Sequence, residues 1–143
     1  LMPTVKDIFA SIFTNIVGEA ILSDPKMVYQ IIDDIVTPYL QNINVNQFID
    51  VLDRNLTPEQ VYGKVPPELV NRVRGLFAHL SPADKNRIMT YAINYLTLPN
   101  VLQWLKQKNN DAFTVVINHP NGVNFIRNFI KFILKNLKEI LGV

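Results

Sequence analysis

The chain has 143 residues, of which 48% are apolar and only 18% charged, with no cysteine and a formal net charge of +2. That length suits one domain with its own core, and the missing cysteines exclude disulfides, zinc–thiolate sites and cysteine nucleophiles. The charged fraction lies below the roughly 25% of ordinary soluble domains. Part of the surface is therefore expected to be covered, by further copies of the chain, unless 16 Asn with the Gln, Ser and Thr residues supply the missing polarity.

Asp, Asn, Gln or Lys interrupts every apolar run, so none approaches the ~18 residues of a membrane span. The opening "LMPTVKDIFA" lacks the basic start and cleavage pattern of a signal peptide. Leu1 in place of Met fits either a processed product or an expression boundary. Charge divides along the chain. Residues 1–53 carry two bases and seven acids, net −5, and residues 54–143 carry twelve bases and five acids, net +7. Such a split fits a polyanion partner for the basic part, or attraction between the two parts or between subunits.

The elements follow in order as helices. "PTVKD" offers Thr4 as an N-cap with Asp7 three residues on, and Ile8, Phe9, Ile12, Phe13, Ile16 and Val17 mark one apolar face over 4–22. "SDPK" places Asp24 before Pro25, opening a helix with Val28, Ile31, Ile32 and Ile35 inward that ends near Thr37–Pro38. "VNQFIDVLDRNL" turns Phe48, Val51, Leu52 and Leu56 inward, and "TPEQ" pairs Thr57 with Gln60 in a capping box. After Pro66–Pro67, Leu69, Val73, Leu76, Phe77 and Leu80 form one face. "SPAD" puts Ser81 before Pro82 and leads into Ile88, Tyr91, Ala92, Tyr95 and Leu96. Val101, Leu102, Trp104 and Leu105 follow Pro99. "AFTVVI" (112–117) is the one β-like run, and a single strand has nothing to pair with. The last helix starts near Pro120 or Asn121 and ends at Leu141. The expected fold is all-α: one domain over 1–143, compact or partly extended, of six to seven helices, acidic to about residue 53 and basic beyond.

Catalytic motifs are missing. His79 and His119 have no partner at metal-ligand spacing. His79 falls at a helix end, where imidazolium suits the dipole, and His119 sits in the turn-forming "NHPNG". Asp33 and Asp34 diverge by about 100°. Asp50 and Asp53 share a face that reads as solvated. No G-x-S-x-G and no phosphate-cradling glycine loop occurs. The chain is read as a non-enzyme without metal or cofactor.

Chemistry concentrates in "NFIRNFIKFILKNLKEIL" (124–141). With Arg127 at zero on a wheel of ~100° per residue, Lys131 lies at about 40°, Lys135 at about 80° and Lys138 at about 20°. Phe129, Ile130, Ile133, Leu137, Ile140 and Leu141 occupy the opposite side. Such a ridge faces water, a membrane surface, or a nucleic-acid backbone or acidic neighbour. A membrane is not expected, because the helix has no Trp and its apolar arc is wide enough to be core. A second group, Arg72 and Arg74 with Lys85 and Arg87, sits on successive helices that an antiparallel pairing would gather. Arg suits phosphate because its planar fork reaches two oxygens. No base-reading motif accompanies these residues, so contact without sequence preference is expected. Trp104 is the one large anchor, for the core or an interface.

The Pro-started helices ("SDPK", "TPEQ", "SPAD") and the basic faces at 72–87 and 127–138, in a small cysteine-free chain poor in charge, resemble the major coat proteins of filamentous archaeal viruses. That resemblance covers the whole chain by type and not by motif. It implies helical subunits that pack with one another and wrap double-stranded DNA, with a virion location. The DNA contacts would fall to Arg72, Arg74, Lys85, Arg87, Arg127, Lys131, Lys135 and Lys138. The acidic first third departs from a DNA-facing surface and would face outward or meet a neighbour's basic part. The alternative is a monomeric, cytoplasmic helical module that holds a partner peptide or an apolar ligand in a groove.

Overall fold

The structure, a computed structural model, describes residues 4–6 and 24–143. The helix expected over 4–22 therefore lies almost wholly outside the described residues. The others form eight helices and no strand: α1 (Pro25–Gln41), α2 (Val45–Asp53), α3 (Pro58–Tyr62), α4 (Pro67–Leu76), α5 (Pro82–Tyr95), α6 (Leu98–Lys108), α7 (Asn110–Asn118) and α8 (Gly122–Leu141).

Local chemistry sets the starts. The Asp24 side chain accepts from Lys26 N at 2.9 Å, and Ser81 Oγ accepts from Asp84 N at 3.1 Å. Thr57 and Gln60 close a reciprocal capping box, at 3.2 Å from Gln60 N to Thr57 Oγ1 and 2.8 Å from Thr57 N to Gln60 Oε1. Asn44, Thr97 and Asn109 cap three more helices with their side-chain oxygens.

Three expectations need correction. The helix expected to stop near Thr37–Pro38 continues to Gln41, with Pro38 inside it. A proline there removes one backbone bond, but Thr37 Oγ1 donates to the Asp33 carbonyl at 2.6 Å, and Tyr39 and Leu40 just beyond are buried in the core. Packing outweighs the proline. The β-like run 112–117 lies inside α7, because the Asn109 cap holds Ala112 N and the i, i+4 pair Ala112 and Val116 is fully buried. Leu76, expected inward, is exposed: α4 ends there, and Phe77 takes the inward place as the chain turns.

α8 is the axis of the core. It packs against α3, α4, α5, α6 and α7, while α1 packs on α5 and α6, and α2 on α7. Phe129 and Phe132 of α8 meet Tyr39 and Tyr62 in a ring cluster with centroids 4.8–6.5 Å apart. Edge-to-face pairs dominate it, the arrangement that ring quadrupoles favour. Burial pushes the hydroxyl pKa of Tyr39 and Tyr62 well above the tyrosine range, and Tyr62 adds a smaller push on Tyr39. No described helix is long and apolar enough to cross a membrane.

Candidate nucleic-acid interface

Both ends of α8 are fixed before its outer face becomes free. At its start, Gly122 is buried against α7: a Cβ there would lie 2.6 Å from Val116 Cα and overlap the Val116 carbonyl oxygen. Asn121 Nδ2 donates to the Leu52 carbonyl at 2.9 Å, and His119 Nε2 meets Asp53 Oδ1 at 2.6 Å. His119 Nδ1 accepts from Asn121 N at 3.0 Å, so the ring proton sits on Nε2 and points at the carboxylate. Both ring nitrogens are therefore used, and neither is left to exchange a proton with a substrate. Asp50 turns instead to Arg54 at 3.4 Å, so the two carboxylates that share a face on α2 do not act as a pair. His79 lies in the turn beyond α4, three residues past its last helical residue, and is exposed.

At its end, α8 closes on Gly142, whose left-handed backbone (φ +73°) returns its N–H to the Lys138 and Glu139 carbonyls. Arg74 reaches the same Glu139 carbonyl from α4, with Nε at 3.0 Å and Nη2 at 2.7 Å. A guanidinium at a helix C-terminus meets both a last-turn carbonyl with a lone pair to spare and the negative end of the dipole. Arg74 is thus committed to folding.

Between these ends the expected ridge is present as a surface. Arg127, Lys131, Lys135 and Lys138 are all exposed, while Phe125, Ile126, Phe129, Phe132, Ile133, Leu137, Ile140 and Leu141 are buried on the other side. None of the four cations forms an ion pair among the described residues. From Arg127 to Lys138 the ridge runs about 17 Å at 1.5 Å per residue.

Of the helices that carry the second basic group, α4 packs chiefly on α8, and α5 on α1 and α8. Arg72 is exposed, Lys85 is half-buried, and Arg87 Nη2 pairs with Asp84 Oδ1 at 3.3 Å. Two cations outside the expected set join the picture. Lys64 borders one depression with Lys135, and Lys6 borders another with Arg72. Neither is within reach of a sequence window, because each partner lies on a distant segment. No protein-family model matches this chain. No curated protein and no solved structure is significantly similar to it either.

Proposed function

We propose that this chain is a structural, self-assembling helical protein that contacts nucleic-acid phosphates without sequence preference, in the manner of a filamentous virion coat subunit. The observation that carries the reading is the α8 ridge: four exposed cations on one face of a core-anchored helix, none of them in an ion pair among the described residues. Its ~17 Å length runs alongside about five base pairs, where duplex DNA presents roughly one charge per 1.7 Å. Arg72 and Lys64 are auxiliary contacts. Arg74, with Nε and Nη2 on the Glu139 carbonyl, contributes less than the ridge, as do Lys85 and Arg87.

Self-association draws on the large apolar side chains left at the surface, Met27, Ile49, Leu76, Ile93 and Ile117. It also draws on the exposed Asp34 of α1, which offers the ridge of a neighbouring subunit a complementary charge. A depression with a wholly apolar lining, between α1, α5 and the end of α8, measures about 40 Å³. That is room for about one water, so it gives little support to a module that stores an apolar ligand.

Double-stranded DNA binding measured across salt tests the reading. Four ridge contacts give a slope of log affinity on log salt near −3.6, and an affinity loss of about 10² between 50 and 200 mM salt. Changing Lys131 and Lys135 together to Glu halves that slope or more, with the helical circular dichroism unchanged. Equal retention on DNA by the double variant would clear the ridge of this role.

A further inference from the structure

A second site lies at the C-terminal half of α8, where α3 and the segment 63–66 face it across a depression of about 200 Å³. Its walls are Val65 and Phe132, both buried, and Asn136. Asn136 is the unexpected residue. It occupies an inward position of α8 and is 8% exposed. Its Nδ2 donates to the Phe132 carbonyl at 2.9 Å, and its Oδ1 accepts no hydrogen bond. The Asn136 Oδ1 keeps contact with solvent and has no donor within the chain, so it is an acceptor open to a ligand in the depression.

The rim supplies charge of both signs. Glu59 and Lys64 stand on one side, Lys135 and Glu139 on the α8 side. Lys135 and Glu139 are one helical turn apart, the spacing at which opposite charges ordinarily pair. Yet none of these four groups forms an ion pair with another. Two ammonium groups and two carboxylates thus surround a notch large enough for about six or seven waters, or for one molecule of that size.

We propose that this notch binds a small zwitterion of amino-acid dimensions. Its ammonium group is taken by Asn136 Oδ1 together with the Glu59 and Glu139 carboxylates. Its carboxylate is taken by Lys64 and Lys135, and its aliphatic part lies on Val65 and Phe132. A ligand carrying one charge satisfies only one pair of the rim, so both charges are required for recognition. The site does not depend on the nucleic-acid reading, although Lys135 belongs to both surfaces.

The test is an amide-shift NMR titration of the full chain, without DNA, using leucine, leucine amide and 4-methylpentanoate as probes. Leucine should give saturable shifts confined to residues 59–65 and 132–139, with a dissociation constant of order 1 mM. Each single-charge analogue should bind at least about tenfold more weakly. Asn136→Leu should abolish the leucine shifts. Lys64→Glu, on the exposed rim where folding is not at stake, should weaken them about tenfold. Absence of saturation with leucine overturns the proposal. So does equal binding of either analogue, or leucine binding that Lys64→Glu leaves unchanged.

Discussion

The corner between α7 and α8 and the outer ridge of α8 lie on neighbouring turns of one helix and are built in opposite ways. At the corner, His119 spends both ring nitrogens, Asn121 holds the Leu52 carbonyl, and Gly122 leaves no space for a methyl group. Along the ridge, four exposed cations have no ion pair among the described residues. Polar groups that hold the fold are saturated within the chain, whereas polar groups left over are available to something outside it. Arg74 shows how far this sorting departs from residue type. It is an arginine within a basic cluster, yet its Nε and Nη2 both donate to a carbonyl 65 residues away.

Substitutions on the two sides should therefore separate cleanly. The largest effect on stability is expected at Gly122→Ala, where the new methyl overlaps the Val116 backbone and the α7–α8 corner must open. A loss of about 3 kcal/mol or more is expected in denaturant unfolding. A change below about 0.5 kcal/mol would show that the corner is loosely packed. His119→Ala removes a link across 66 residues and leaves Asp53 and Asn121 N without their partner. It should cost about 1–2 kcal/mol, whereas Arg127→Ala on the ridge should stay within about 0.5 kcal/mol. Equal costs for the two would erase the distinction between corner and ridge.

One further effect has the opposite sign. The Tyr39 hydroxyl is buried in the ring cluster with no hydrogen-bond partner, and such a group is a liability in the core. Tyr39→Phe should raise stability by about 1 kcal/mol at neutral pH. The pH dependence follows from the raised pKa values of Tyr39 and Tyr62, caused by burial first. The folded state keeps protons that the unfolded chain releases near the ordinary tyrosine pKa of about 10. The stabilisation is complete below that pH and is lost as pH rises beyond it. Thermal unfolding should show this alkaline loss in the parent chain and a smaller one in Tyr39→Phe. An identical loss in both would acquit Tyr39.

Much of the fold is legible in the sequence wherever its cause is local. The caps at Asp24, Thr57 with Gln60, and Ser81 are set by residues three or fewer positions apart, and the ridge is a matter of helical period. What escapes is set across distance. Pro38 stays in a helix because Tyr39 and Leu40 find a core supplied by α3 and α8. Arg72 and Arg74 look equivalent in sequence, and only the arrival of α8's last turn assigns one to folding and leaves the other in solvent. Lys64 joins Lys135, and Asn136 comes to line a depression, through the same tertiary approach.

The central claim is that the leftover cations and exposed apolar groups of one subunit are completed by a polyanion and by sister chains. Sedimentation of the purified chain at low salt, with and without double-stranded DNA, measures this directly, with electron microscopy of the same samples. The account expects large, regular assemblies on DNA that dissociate as salt rises. A stable monomer that sediments alone in the presence of DNA would contradict it.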